Sequence, residues 1–430
     1  MLISLVGFAV LLVICFAGFP LGWAMVSVGF VGFGLIRGFE PAFATLGQLI
    51  LDFSMNYHFS TLPLFILMGA FVYRAALAED MYDAAYAWLG SFRGGLAMTT
   101  VAACGGFAAV SGSSAATAAT MAKVALPSMR RFNYDDRLAA GSVAAGGTIG
   151  ILIPPSIALI IYGILVEEDI GKLFIAGVLP GILTVFLYII VIRIVTAIKK
   201  EWGPPGDHTN WPDRFRALGK VWGILLLFLF ILGGIYAGIF TPSEAGGIGA
   251  TGALFFAIAR KKMTWKEFYN SLVDAGKTTV FVFTVAYGAI IFSNFINIAG
   301  MPDDILKFVN DLDVPPMGVI FAILAIYVVL GAVFEGIGMI LLTVPIFFPV
   351  VQSLGFDLIW FGIVVIMVTE ISLITPPVGM NVFVLKTMLP DVSLWTIFKG
   401  IGPFFCADLV RLGLVVIFPQ IALFLPTLMN

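Results

Sequence analysis

Residues 146–156, GGTIGILIPPS, set the tightest condition on the fold of this chain. They lie inside an apolar segment, 138–163, that is long enough to cross a bilayer as a helix, for which about 20 residues are needed. Pro154 and Pro155 donate no backbone N–H, and each ring collides with the carbonyl four residues earlier. Pro154 also drives Ile153 out of the helical region. With Gly146, Gly147 and Gly150 just upstream, about one helical turn has to open near the middle of the segment. Open backbone groups in hydrocarbon cost several kcal/mol each, so the break survives only inside protein or against a watery cavity. A discontinuous helix of this kind marks an ion or substrate site in a secondary transporter.

Composition puts the segment in context. The chain has 430 residues, 60% hydrophobic and 11% charged, against about 25% charged in an ordinary soluble domain. A polytopic helical membrane protein of about ten to twelve passages is implied. Cys15, Cys104 and Cys406 all fall in apolar stretches, which excludes a disulfide framework. The two histidines, His58 and His208, lie near loops and offer no metal or catalytic cluster. There is no HExxH, no GxSxG and no phosphate loop, and Ser113 or Ser114 as a nucleophile lacks a nearby base, so the chain reads as no enzyme. Residues 1–19 lack a basic leader, and Ile14 before Cys15 is not the small residue of a lipoprotein cleavage site; they read as a first membrane helix.

Spans are expected near 2–19, 21–37, 61–78, 138–163, 171–199, 218–239, 243–260, 278–300, 358–388 and 400–426. Segments 94–131 and 316–353 are too long for one straight crossing and have weak centres, SGSSAAT at 111–117 and FEGIGM at 334–339. Each is read as a re-entrant hairpin. With both hairpins returning to the side they leave, 17 basic residues fall on one face, and only Arg37, Lys172 and Lys307 on the other. That bias places both termini outside the cytoplasm. Full crossings would scatter the same charges over both faces. The stretches 79–93 and 390–399 read as interfacial arms.

A constant shift of 222 residues superposes Pro20 on Pro242, Pro127 on Pro349, Asp135 on Asp357, and Pro154–Pro155 on Pro376–Pro377. Four proline pairs coincide where average usage of about 5% predicts fewer than one. The expected organisation is therefore a first repeat, 1–199, with hairpin 94–131 and broken helix 138–163, and a cytoplasmic linker, 200–217. A second repeat, 218–430, follows with hairpin 316–353 and broken helix 358–388. Each repeat holds five transmembrane helices plus one hairpin, and the two are inverted in the membrane. The fold class is all-α and polytopic.

The second break reads TEISLITPPVG at 369–379. Carbonyls freed around 147–151 and 372–375, with the hydroxyls of Ser111, Ser113, Ser114, Thr117, Thr148 and Thr375, are neutral hard oxygens that suit Na⁺ better than a transition metal. Half-helix N-termini after each tip favour an anionic substrate. Tight packing through small residues is the plain alternative for SGSSAAT. Glu335 at the second tip is read as a site residue, and Glu370 equally as a site residue or a brace of unwound backbone. Lys123 and Arg74 are expected to snorkel, and Asp408 and Arg411 to form a local ion pair. No arginine is expected near either tip, which leaves helix termini, bound Na⁺ and amides such as Asn294 to meet a carboxylate.

GGTIGILIPPS at 146–156, IAGVLPG at 175–181, SGSSAATAAT at 111–120 and TPPVGMNVF at 375–383 resemble the large membrane subunit of TRAP (tripartite ATP-independent periplasmic) transporters, the DctM-like family. The likeness covers essentially the whole chain. It implies an elevator-type ion transporter fold, in a bacterial inner membrane, that imports an organic anion, a C4-dicarboxylate or related carboxylate, with two or more Na⁺ as co-substrate and no organic cofactor. It also implies two partners, a small four-helix membrane subunit (DctQ-like) and a periplasmic substrate-binding protein (DctP-like), the small subunit being a separate polypeptide. Mapped onto this sequence, the ion ligands would come from Ser114, Thr117, Gly147, Thr148 and Gly150, and from Gly336, Gly338, Thr369, Ser372 and Thr375. Substrate would meet Ser111, Ser113, Ser156, Asn294 and Glu335, with Pro154, Pro155, Pro376 and Pro377 breaking the helices. A stand-alone Na⁺/carboxylate symporter of the same superfamily, or a non-transporting scaffold, is the competing expectation.

Overall fold

The computed structural model describes residues 2–429 apart from 76, 312, 313, 332, 333, 377 and 378. Among the described residues all regular structure is helical. The first half runs through α1 (Leu2–Phe16), α2 (Leu21–Arg37), α3 (Phe39–Met55), α4 (Thr61–Arg74), α5 (Leu77–Leu89), α6 (Gly95–Ser111), α7 (Ser114–Arg131), α8 (Asp136–Thr148), α9 (Ile157–Val166) and α10 (Ile170–Ile198). The second runs through α11 (Trp211–Tyr236), α12 (Pro242–Ala259), α13 (Trp265–Ile298), α14 (Met301–Asp311), α15 (Pro316–Gly331), α16 (Gly336–Ser353), α17 (Leu358–Ser372), α18 (Met380–Met388), α19 (Leu394–Ile417) and the short α20 (Gln420–Leu423). Among the described residues five of them, α10, α11, α13, α16 and α19, are long and apolar enough to cross a membrane, and the bent pair α3–α4 makes a sixth if taken as one span.

Helix bounds recur at the same 222-residue offset. Ser114–Arg131 corresponds to Gly336–Ser353 residue for residue, and the capping aspartates Asp135 and Asp357 both accept a hydrogen bond from the first turn of their helices. Among the described residues the halves differ most at α13. Where the second has the single 34-residue α13, the first has α3 and α4, bent by 58° at a break after Met55.

Three sequence expectations need correction. Phe39–Met55 carries Glu40, Gln48 and Asp52, polar enough to fall outside the expected spans, yet it forms α3. The span placed at 278–300 begins at Trp265, because the Thr264 hydroxyl caps the helix by accepting from the Glu267 N–H. The stretch around 303–311, expected as loop, forms α14 at the 222-residue offset from α5, and the last residues of the expected arm 390–399 start α19. The reason is visible in α14 itself. MPDDILKFVND alternates charge and apolar residues at helical spacing and has too low a mean hydropathy to register as a span.

The helices sort into two packed groups. In one, α2 lies along α13, and α12 along α4; in the other, α8 packs on α6, α7 and α19, and α16 on α9 and α17. Small residues make the second group dense. In α8, DRLAAGSVAAGGT, every residue from Leu138 to Thr148 is buried, and a Cβ on Gly141 would stand 2.4 Å from the Gly400 carbonyl oxygen of α19.

Candidate functional site

Each broken helix meets the tip of its own hairpin. Gly112 ends α6 in the left-handed region, φ 58°, where glycine carries no steric penalty, and Ser113 then caps α7. The tip lands on the first break, where residues 149–151 tighten into a single 3₁₀ turn. A Cβ on Gly147 would lie 2.7 Å from the Ala118 Cβ, and one on Gly150 would lie 2.9 Å from both the Ser113 carbonyl oxygen and the Thr117 Oγ1. Only bare backbone fits, and Ser113 and Thr117 pack directly on Gly150. Across the break, the buried Ser156 caps α9, its hydroxyl donating to the Ile151 carbonyl at 2.5 Å and accepting from the Leu159 N–H. That hydroxyl is engaged in bridging the two half-helices.

The second pair repeats the contact. A Cβ on Gly336, at the start of α16, would meet the Thr369 methyl at 3.1 Å, and Gly331, at the end of α15, lies against Ser372. Gly338 points elsewhere, toward Leu21 of α2. Glu335 holds the N-cap position of α16, the offset partner of Ser113, so its carboxylate stands at the positive end of that helix. Pro376 closes the described part of this break, and Pro377 lies outside the described residues.

Proton direction leaves these hydroxyls free to coordinate. Thr117, Thr148, Thr369, Ser372 and Thr375 each donate to a carbonyl of their own chain segment, at 2.8, 2.7, 2.8, 2.6 and 2.5 Å. Their oxygen lone pairs remain available to a cation. Ser111 shares a 2.6 Å hydrogen bond with Thr117. Ser114 is held from the other half: Asn381 of α18 donates to its hydroxyl at 2.8 Å and also reaches the Ala144 carbonyl at 3.3 Å. Asn381 escaped the sequence reading, although it is the one amide side chain between 358 and 388.

A charged network lies buried behind both breaks. Arg411 pairs with Asp408 on its own helix and with Glu370 on α17, at 3.1 Å in each case, and donates to the Thr184 hydroxyl at 2.6 Å. Tyr188 of α10 donates to the Asp408 carboxylate at 2.9 Å and stands 3.4 Å from the Thr148 hydroxyl. The ion pair of Asp408 with Arg411 follows the spacing on one helix; the Glu370 arm, 41 residues away in sequence, does not.

Two cavities open between the packed groups. One, of about 290 Å³, is lined by Ser111, Ser113 and Ala116 of the first hairpin, Ile157, Tyr73 and Arg74 of α4, and Asp274 and Thr278 of α13. An arginine therefore does reach the neighbourhood of a tip. Arg74 is not free there: it pairs with Glu267 and, at 2.5 Å, with Asp274, a brace between α4 and α13 in place of the expected snorkel. The other cavity, of about 430 Å³, is lined by Asp52, Asn56, Glu167, Ser293, Asn294 and Asn297 with Pro345 and Phe348. Asn294 thus lies in a different cavity from Ser111 and Ser113. Lys123 is exposed.

The sequence profile described as "Tripartite ATP-independent periplasmic transporter, DctM component" matches residues 8–421. The chain belongs to that family. It is 36% identical over 403 residues to the C4-dicarboxylate TRAP transporter large permease protein DctM of Pseudomonas aeruginosa, covering 93% of each chain. It is 32% identical to the ectoine/5-hydroxyectoine large permease UehC of Ruegeria pomeroyi, covering 97% of each. The sialic acid permease SiaT of Haemophilus influenzae is 31% identical over 97% of this chain and 67% of its own length. Among solved structures, the YdaH transporter of Alcanivorax borkumensis matches with a TM-score of 0.65 at 11% identity, over 88% of each chain. MtrF of Neisseria gonorrhoeae matches at 0.62 and 11%, over 89% of this chain and 85% of that one. Those two likenesses establish a membrane-transporter fold. The chain is a TRAP large permease subunit, and no enzyme.

Proposed function

We propose that this permease imports an organic anion, a C4-dicarboxylate or related carboxylate, by coupling it to Na⁺ entry across a bacterial inner membrane. The observation that carries the reading is the paired contact of tip and break. Ser113, Thr117 and Gly150 at one end bring neutral oxygens together, and at the other Ser372 sets its hydroxyl against the end of α15, beside a tip that carries Glu335. Anionic cargo beside a bound cation then gains the charge partner that Arg74, already held by two carboxylates, does not supply.

In this reading the helices around α2, α4, α12 and α13 form a fixed scaffold, and the hairpins with the broken helices form an elevator that carries cargo past it. The two repeats run inverted, with both termini periplasmic. A periplasmic substrate-binding protein delivers the anion, and a small four-helix membrane subunit enlarges the scaffold. The test is reconstitution with both partners in liposomes and a labelled C4-dicarboxylate. Uptake should require all three components and an inward Na⁺ gradient. Uptake by this chain alone would mark a stand-alone symporter, and uptake undiminished with choline in place of Na⁺ would remove the sodium coupling.

A further inference from the structure

We infer that the buried relay Thr148–Tyr188–Asp408–Arg411–Glu370 makes the two helix breaks one cooperative cation-binding unit, with Tyr188, Asp408 and Arg411 as positioning residues. The inference rests on the sodium reading above and extends it from two sites to the coupling between them.

The relay has the two ends that coupling requires. Thr148 lies in the first break, within reach of the tip residues that crowd Gly147 and Gly150. Glu370 lies between Thr369, whose methyl meets the start of α16, and Ser372, whose hydroxyl meets the end of α15. Between them stand Tyr188, Asp408 and Arg411, all fully buried, so water cannot screen or replace any link.

Two links have alternative arrangements, which is the physical condition for coupling. The first is a hydroxyl proton. Thr148 donates to the Ala145 carbonyl at 2.7 Å, while the Tyr188 oxygen waits at 3.4 Å. A cation bound by the Thr148 hydroxyl oxygen draws that side chain toward the break, and its proton turns from the Ala145 carbonyl toward Tyr188. Tyr188 has one proton, already given to Asp408. A stronger contact at its oxygen therefore sharpens its hold on Asp408.

The second link is a shared nitrogen. Arg411 Nη2 stands 3.1 Å from Asp408 Oδ1 and 3.1 Å from Glu370 Oε2, and makes a well-aligned hydrogen bond with neither. Nη2 carries two N–H groups but aligns with neither carboxylate, so the two compete for its position. Whatever moves Asp408 shifts that balance, and with it the stretch of α17 that carries Thr369, Glu370 and Ser372. Arg411 cannot drift away to relax the competition, because its Nη1 is held by Thr184.

The experiment is a sodium titration of the purified full chain in detergent, with choline replacing sodium at constant ionic strength, read as thermal stabilisation. Wild type should respond with a Hill slope above one. Tyr188→Phe removes only the hydroxyl, and should bring the slope to one while the stabilisation at saturating sodium stays within about twofold. Thr184→Val, which unpins Arg411, should do the same, and serves if the tyrosine variant fails to fold. Tyr162→Phe is the control. Its buried hydroxyl donates to the Leu358 carbonyl, outside the relay, and the slope should not change. A slope unchanged in both relay variants overturns the inference, as does an equal fall in the control. A wild-type slope of one removes the coupling alone. No sodium stabilisation in wild type removes the sodium reading and the coupling together.

Discussion

At the scale of single residues, Gly150 is where sequence and geometry meet most closely. Alanine there would place a methyl 2.9 Å from the Ser113 carbonyl and the Thr117 oxygen, and a carbonyl in a packed tip has nowhere to go. Gly150→Ala is expected to cost about 1–3 kcal/mol, the range for overpacking, and to abolish thermal stabilisation by sodium while the helical circular dichroism is retained. A variant that keeps the full sodium response would place the ion elsewhere. This glycine was legible because glycine and proline act on the backbone locally, whatever surrounds them. Asn381 and Glu370 were not legible in the same way. A lone amide or carboxylate in an apolar run announces that it has a partner, but Ser114 and Arg411 lie far off in sequence, and one sequence does not say which distant residue the fold brings near. Arg74 misled for a related reason: a helix-end arginine reads as reaching for the interface, and its carboxylates sit on another helix, at Glu267 and Asp274.

At the scale of elements, the connector between the halves holds more structure than its composition suggests. The Gly203 carbonyl accepts from the Gly94 N–H, the Trp202 carbonyl from the Asp135 N–H, and the Gly90 carbonyl from the Gly206 N–H. Trp202 is covered by the Arg137 guanidinium at 4.3 Å and the Lys199 ammonium at 4.1 Å. Trp202→Ala should lower stability by about 3–5 kcal/mol, as for other buried aromatic truncations, and expose residues 199–207 to limited proteolysis. Resistance equal to wild type would mean the connector is held by its backbone alone. Asp135, outside the spans, caps α8 and forms a two-pronged pair with Arg137 at 2.8 and 2.7 Å. That hydrogen-bonded pair holds its carboxyl below the usual carboxylate range. Its folded value is the lower one, so its contribution is present above the unfolded value of about 3.9 and drains away as the pH falls through the folded value. Asp135→Ala should therefore cost about 1 kcal/mol at neutral pH, and the gap from wild type in chemical unfolding should close in acid below that range. A gap that persists there would assign the loss to packing. Both breaks, and the interruptions between α6 and α7 and between α15 and α16, were foreseeable from apolar length and proline placement. The bend after Met55 was not, because no proline or glycine marks it.

At the scale of the whole molecule, the two cavities lie toward opposite ends of α13. Thr278 lines one and Asn297 the other; at about 1.5 Å per residue they stand roughly 28 Å apart, close to the thickness of a bilayer's hydrocarbon core. With the three native cysteines replaced, Thr278→Cys should react with a membrane-impermeant thiol reagent only from the cytoplasmic side, and Asn297→Cys only from the periplasmic side. Labelling of both from one side would overturn the orientation derived from the basic residues. The arrangement of helices was readable at this scale because inserted segments obey few rules, and a repeat obeys them twice. Where the halves part company, at α3–α4 against α13, the rule of repetition gave no warning.

The clasped connector also bears on how a chain like this can be taken apart. If the two halves descend from one duplicated ancestor, the stretch joining them would be the natural seam, a place to cut, to lengthen or to carry a tag. Here the seam has been sewn shut as far as Asp207, whose N–H is held by the Tyr86 hydroxyl. The stitching belongs to the first half, leaving residues 208 and 209 between it and Asn210, which caps α11 at Trp211 and takes the Arg214 N–H on its carbonyl. A protease site or a split between two co-expressed fragments belongs there, a few residues later than composition alone would place it.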